Sequence, residues 1–415
     1  MSHSQDSNPD QPMGIDTAPD FKVLYRNLES ALAEIERTDN VAETLELLLD
    51  ALVTRSGKEL GLKGGRVYKR EEEDYLLCCS FGTTGDAPVG VRLPPDYPPH
   101  LKTLEDGLLI MHPGEPGYDE IFERSVGVEA TFAAIAAGKG NRFVIGFSID
   151  GDVQEERLVY SLSAVRHVIN LKLEQQEFTG MLEQARAIQE SMLPDSCPCF
   201  PGYDLAGRAR PAERVGGDLF DYLRVSSDVL GVAIADASGH GVPAALMARD
   251  VITGLRTLAG EDADIGDTVQ RLNRVIHRAA LSSKFVSLFY GRFSTNGDLA
   301  YCNAGHNSPL LMRSGSCSEL EPGGPVLGPI PGARYEHEIE HLDTGDTVVM
   351  FTDGVVEREN PSGEPFGTDR LRRLLDAGSE ESAERLVERI SAAVDSHAGG
   401  LPPSDDMTVV VIRKT

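Results

Sequence analysis

Basic residues are scarce. The 415-residue chain has 39 Lys and Arg against 66 Asp and Glu, a formal charge of −27, so most of its surface repels a phosphate backbone or an anionic membrane. Nucleic-acid binding is set aside on that ground. Long apolar runs are also missing: no stretch approaches the ~18 apolar residues that cross a bilayer. The opening MSHSQDSNPDQPMGIDTAPD lacks a basic start followed by an apolar segment, so no membrane association and a cytoplasmic location are expected. The six cysteines, Cys78, Cys79, Cys197, Cys199, Cys302 and Cys317, are scattered. They offer neither the paired CxxC hooks of a zinc site nor a dense disulfide framework, and read as reduced structural thiols. There is no GxSxG elbow and no low-pKa cysteine signature, so a side-chain nucleophile is not expected.

What is present is enough for two or three domains: 40% of residues are hydrophobic and 25% charged. Residues 1–20 have almost nothing to bury and read as a disordered tail. From Phe21, the apolar positions Val23, Leu24, Leu28, Leu32 and Ile35 recur at helical spacing, and Val41 through Val53 form a second such run. GRVYKREEEDYLLCCSFG then reads as two strands about an acidic turn and RFVIGFSID as a later strand, an α+β domain over about 38–165. With its leading helices, the 21–165 region resembles a GAF-type sensory domain in element order and length; its ligand is not legible.

Tyr160 to Leu193 contains no Gly or Pro except Gly180, and Phe178, Met181, Ala185, Ile188 and Met192 step by 3, 4, 3, 4. That spacing keeps one stripe on one face, which predicts a helical linker over 166–195 and a homodimer through it; a helix packed on its own domain is the other reading. Pro194 and the punctuation of PDSCPCFPG mark a boundary. Beyond Gly202, YDLAGRAR, LGVAIAD, KFVSLFYGRF, LAYCNAG, SPLLMRSG, DTVVMFTDG and MTVVVI read as strands, with helical runs at 243–259, 264–280 and 380–395. Many antiparallel strands with few helices predict layered sheets covered by helices.

Four acidic sites share a local grammar: GGD at Asp218, IAD at Asp236, FTDG at Asp353, and SDDMT at Asp405 and Asp406. Three border an apolar strand, where a side chain is fixed at a sheet rim. Converging rim carboxylates repel one another unless a cation lies among them, and oxygen ligands without His or Cys suit Mg²⁺ or Mn²⁺. Each Asp alone is more often a turn former. Gly216 and Gly217 before Asp218, and Ala237, Ser238 and Gly239 after Asp236, leave the room a crowded site needs. Pro243 sits where a helix start tolerates it, which aims a helix N-terminus, favourable to an anion such as phosphate, at the same rim.

VGGDLFDY, IADASGHGVPAALMA, NAGHNSPLL, FTDGVVEREN with GEPFG, and DDMTVVVI, in this order over about 200–415, resemble the PPM-type metal-dependent protein phosphatases. The likeness is greatest to the bacterial branch of sporulation phosphatase E and the stress-response sigma-regulator phosphatases. LEQARAIQESMLP resembles the helix preceding the catalytic domain in that branch. The resemblance implies an α-β-β-α sandwich holding two divalent ions, Mn²⁺ or Mg²⁺, that activate a water for in-line attack on a phosphoryl group. It makes Asp236 the bridging ligand, with the Ala237 carbonyl beside it, Asp218 a ligand of one ion, and Asp353 and Asp405 ligands of the other; Asp406 competes with Asp405. It also implies a phosphorylated anti-sigma-factor antagonist as substrate.

Animal members carry a phosphate-gripping arginine that has no motif match here; Arg208, Arg210 and Arg214 are candidates by proximity, so the substrate-phosphate group is open. His240, His277 and His306 read as structural. Two other readings compete: a non-catalytic pseudophosphatase that binds a partner, and a hydrolase of small phosphate esters.

Overall fold

A computed structural model describes residues 41–415 apart from 83–88, 129, 152–153, 195, 261–262, 280–283, 314–315 and 322. The expected tail and the helix beginning at Phe21 lie outside the described residues. The chain divides into two compact units at Thr179/Gly180.

The first unit runs α1 (Val41–Leu60), β1 (Leu62–Glu71), β2 (Asp74–Gly82), β3 (Arg92–Leu93), α2 (Pro98–Asp106), β4 (Leu108–Met111), α3 (Glu120–Ser125), β5 (Phe132–Ala137) and β6 (Phe143–Ile149), then α4 (Glu155–Glu190). Its strands form one antiparallel sheet in the order β3-β2-β1-β6-β5-β4. Strand alternation splits the apolar side chains between two faces. Val67, Ile135, Ile145 and Phe147 pack with Leu48 and Leu52 of α1 and with Leu162, Val165 and Ile169 of α4. Tyr68, Tyr75, Leu77 and Val144 face the opposite way, toward Leu93 and Tyr97.

Helix α4 buries residues from Leu158 to Leu173, so its first half is core. Phe178, Met181 and Ile188 are exposed, but the stripe ends earlier than its spacing predicts. The helix stops at Glu190 rather than Pro194, and Met192 packs against the core of the second unit.

The second unit holds β7 (Tyr203–Arg210), β8 (Asp218–Arg224), β9 (Val229–Ala237), α5 (Val242–Leu258), α6 (Ile265–Ala279), β10 (Val286–Ser294), β11 (Asp298–Ala304), β12 (Leu310–Arg313), β13 (Ser316–Glu319), β14 (Glu338–His341), β15 (Thr347–Phe351), α7 (Asp353–Val356), α8 (Thr368–Ala377), α9 (Ala383–Ala398) and β16 (Met407–Lys414). Two antiparallel sheets result, ordered β14-β11-β10-β9-β8 and β13-β12-β15-β16-β7. In β9, Leu230, Val232 and Ile234 point at the other sheet, meeting Val348, Met350, Val410 and Ile412. The alternating Ala233, Ala235 and Ala237 are small enough to seat α5 and α6 closely. In β16, Val409 and Val411 face α8 and α9. The layers are therefore helix, sheet, sheet, helix, as expected. Helix α8, which the strand-and-turn pattern did not single out, completes the outer layer. Among the described residues no helix is long and apolar enough to cross a membrane.

Candidate metal centre

Strands β8 and β9 pair antiparallel with Asp218 directly opposite Asp236, which puts the two carboxylates on one face at the end of the ladder. The backbone here is tight. A Cβ on Gly217 would lie 2.7 Å from the Ala237 carbonyl oxygen, and one on Gly216 would collide with the Asp406 carboxylate. The Ala237 N–H donates to the Gly217 carbonyl at 3.2 Å. Only glycines let the chain bring Asp218 this close to the end of β9.

The second sheet delivers the other carboxylates. β15 ends at Phe351, and Asp353 opens the short helix α7; β16 starts just after Asp405 and Asp406. Thr352 joins the sheets: its hydroxyl donates to Asp218 Oδ2 at 2.7 Å and accepts the Thr408 N–H at 2.9 Å. Sequence reading passed over Thr352; its one signal was its place between an apolar strand and Asp353.

The two adjacent aspartates separate by role. Asp406 is buried and faces inward, accepting the N–H of Ala212 at 2.7 Å, of Gly217 at 2.6 Å and, more weakly, of Asp218 at 3.4 Å. It clamps the loop that carries Asp218. Asp405 is exposed, and its charge bears on both Asp236 and Asp353.

Electrostatics show the strain of gathering these groups. Burial, then the charges of Asp353, Asp405 and Asp406, push the Asp236 carboxyl up to about 7. Burial and Asp405 raise Asp353; burial and Asp236 raise Asp218, which the Thr352 hydrogen bond partly opposes. Among the described residues no three His, Cys, Asp or Glu side chains already form a closed metal cage. The carboxylates lie near enough to repel one another without closing around a point, and their all-oxygen chemistry fits hard divalent cations. Asp218, Asp236, Asp353 and Asp405 are thus brought to one rim, with the Ala237 backbone beside them.

The other sequence candidates are placed differently. Arg210 forms a two-pronged ion pair with Asp395 (2.8 and 2.6 Å) and Arg214 pairs with Glu183 at 2.5 Å, while Arg208 is exposed on β7. None of the three reaches the carboxylates in a hydrogen bond among the described residues. His240 pairs with Glu213 on the surface. His277 Nδ1 meets the Gly328 carbonyl at 2.6 Å. His306 is buried, with Nδ1 2.7 Å from Ser287 Oγ, in a turn built by Asn303, whose side chain binds the His306 N–H and carbonyl. The contacts of His277 and His306 fit a structural reading; His240 is exposed. Pro243 lies in the first turn of α5, as expected.

A groove of about 80 Å³ adjoins the rim, lined by Arg186, Gln189, Arg210, Arg214, Asp218 and Asp406 among others. Gln189, near the end of α4, is the other residue that sequence reading missed. Its Nε2 donates to the Gly216 carbonyl at 2.5 Å and its Oε1 accepts the Gly216 N–H at 3.0 Å.

Residues 226–415 match the family described as Stage II sporulation protein E. The chain carries a SpoIIE-type PPM phosphatase domain. The phosphoserine phosphatase RsbU of Bacillus subtilis is 27% identical over 243 residues, 58% of this chain and 72% of that protein. Protein IcfG of Synechocystis is 29% identical over 263 residues, 56% of this chain but only 41% of IcfG, so the match spans less than half of that relative. The PP2C domain of SiaA from Pseudomonas aeruginosa, 23% identical, shares the fold with a TM-score of 0.52, covering 58% of this chain and 98% of that domain. The first unit's resemblance to a GAF domain rests on element order and length alone.

Proposed function

We propose that the chain is a metal-dependent protein phosphatase that hydrolyses phosphoserine or phosphothreonine, and that its substrate is a phosphorylated anti-sigma-factor antagonist. The observation that carries the chemistry is the convergence of Asp218, Asp236, Asp353 and Asp405 from two sheets onto one rim. The proposed assignment has Asp236 bridging two ions, Asp218 and the Ala237 carbonyl on one, and Asp353 and Asp405 on the other. Divalent ions held there, Mn²⁺ or Mg²⁺, would supply a water of lowered pKa and neutralising charge for the phosphoryl oxygens. The chain's own part is to fix these ligands: Asp406 and Thr352 hold Asp218, and the glycine pair gives it room. RsbU, named a phosphoserine phosphatase, supports the substrate class.

The 21–165 region is proposed as a sensory domain, with 166–195 as a helical linker and 200–415 as the phosphatase domain. Regulation runs through α4, whose last turn grips the loop bearing Asp218 through Gln189. A shift of that helix would move one ligand while leaving the other three in place. The exposed Phe178, Met181 and Ile188 form the seam of a proposed homodimer; sedimentation of Met181→Lys against the parent chain tests it, and unchanged mass would remove the dimer from this account.

The decisive assay measures Mn²⁺-dependent phosphate release from a phosphoserine protein and from an aryl phosphate, with Asp236→Asn as control. Release from the protein substrate supports the proposal. Release from the small ester alone points to an ester hydrolase, and release from neither to a non-catalytic binding protein.

A further inference from the structure

The face of the first unit's sheet turned away from α1 and α4 is roofed by the segment carrying α2 and α3. Between sheet and roof lies a cavity of about 40 Å³. By the volume a single water requires, that is room for about three waters, or for an organic molecule of about five non-hydrogen atoms. Its walls are largely apolar and aromatic, including Tyr68, Phe122, Phe132 and Val144.

Two buried nitrogens in the lining lack partners. Arg66 is 2% exposed; Nη1 donates to the Val126 carbonyl and Nη2 reaches Ser148 Oγ at 3.4 Å, but Nε has no hydrogen-bond partner. His100, 6% exposed and edge-on to the Tyr75 ring, has an unpartnered Nδ1. Arg66 forms no ion pair with a carboxylate among the described residues. The one carboxyl in the lining, Glu123, accepts the Tyr97 hydroxyl at 2.8 Å; burial pushes its pKa up, which that bond and the charge of Arg66 only partly oppose.

A buried guanidinium is costly unless an acceptor meets it, and a carboxylate is the strongest match for its N–H groups. An apolar wall with one unmet cationic donor selects a small molecule with a compact hydrocarbon body and a carboxylate head. We propose that the first unit binds a short-chain monocarboxylate in this cavity, its oxygens taken by Arg66 Nε and His100 Nδ1 and its carbon chain lying against the aromatic wall.

Gly146 provides a way to fill the cavity while keeping both Arg66 and His100 in the chain. It lines the floor, and a Cβ built there meets nothing closer than Arg66 Nη2 at 3.8 Å. Gly146→Val therefore adds bulk to the cavity at a strand position suited to a β-branched side chain.

The experiment is isothermal titration calorimetry of the full chain with sodium propionate at constant ionic strength, with sodium chloride as blank and propionamide as the uncharged isostere. The expected result is saturable propionate binding, with propionamide weaker by about tenfold or more, because a charge-assisted hydrogen bond becomes neutral. Gly146→Val and Arg66→Met should each weaken propionate by at least about tenfold. Should Arg66→Met fail to fold, Gly146→Val alone decides the location. No saturable heat above the blank overturns the proposal. So does equal binding of propionamide, or propionate binding that survives in Gly146→Val.

Discussion

Gln189 holds Gly216 by both of its backbone polar atoms, two residues before Asp218. The amide group of a glutamine offers a donor and an acceptor side by side, and here both are engaged by one peptide position. The contact ties the last turn of α4 to the loop that Asp406 clamps from the opposite side. The loop before Asp218 thus has two supports, one from the linker helix and one from the start of β16, beside the Thr352 hydrogen bond to the carboxylate itself.

Gln189→Ala removes the helix-side support and leaves all four proposed ligands intact. Positioning groups around a metal site typically contribute 10–100-fold in metal affinity or activity. The Mn²⁺ concentration giving half-maximal phosphatase activity is expected to rise by about tenfold or more, while the unfolding midpoint in chelator changes little. Gln189→Glu keeps one acceptor and loses the donor, and should fall between the two. An unchanged Mn²⁺ midpoint in Gln189→Ala would show that α4 does not position Asp218.

Asp405 and Asp406 are neighbours in sequence with opposite expected phenotypes. Asp406→Ala strips acceptors from the half-buried N–H of Ala212 and the buried N–H of Gly217 and should cost about 1–3 kcal/mol of stability in urea denaturation. Asp405→Asn leaves those bonds alone and relieves like-charge repulsion on Asp353 and Asp236. It is expected to retain or gain stability in chelator yet lose Mn²⁺-dependent activity by more than about a hundredfold. If the two stability effects were exchanged, the assignment of clamp and ligand would be reversed.

Asp236 carries the same conflict between folding and function. Its carboxyl is pushed up to about 7, against about 3.9 in an unfolded chain. Between those values the folded state binds more protons than the unfolded one, so this residue's contribution to stability falls as pH rises from about 4 to about 7 and is flat above. Asp236→Asn removes that loss. In chelator at pH 8 the variant should be more stable than the parent by about 1–3 kcal/mol, whereas with Mn²⁺ the parent regains its deficit and only the parent hydrolyses phosphoserine. Urea titrations at pH 5 and pH 8, with and without Mn²⁺, separate these outcomes; a parent as stable at pH 8 as at pH 5 relative to Asp236→Asn argues against the crowding.

The sandwich was legible because β9 and β16 alternate residues fit for two different neighbours, and the candidate rim was legible because three of the four acidic sites border an apolar strand. Local pattern carries both kinds of information. Thr352, Gln189 and Asp406 were harder, since each acts through partners that only strand pairing or helix docking brings together; Asp406 meets Ala212 and Gly217 across nearly two hundred residues of chain. Arg66 was harder still. Within GRVYKRE it looks like one more surface charge, and only the roof over its face of the sheet buries it. The seam of α4 was overextended for a similar reason: Met192 keeps the heptad spacing but lies past the helix end and joins another core.

His306 offers a test of the fold on the acid side. Burial holds its imidazole down at about 4, while the unfolded chain titrates near 6.5. Between those values the unfolded state binds a proton that the folded state does not, so stability tied to this residue is complete above about pH 6.5 and is lost progressively as pH falls to about 4. The full shift corresponds to about 3 kcal/mol. His306→Asn cannot take up that proton. It should be less stable than the parent at pH 7, because the contact with Ser287 Oγ and the packing of the ring are lost, but the gap should narrow by about 3 kcal/mol toward pH 4. Urea unfolding of both proteins in chelator across that range measures the gap directly. Parallel curves would mean that His306 is protonated in the folded protein, the backbone of Phe351, which already opposes the effect of burial, accepting its Nε2 proton.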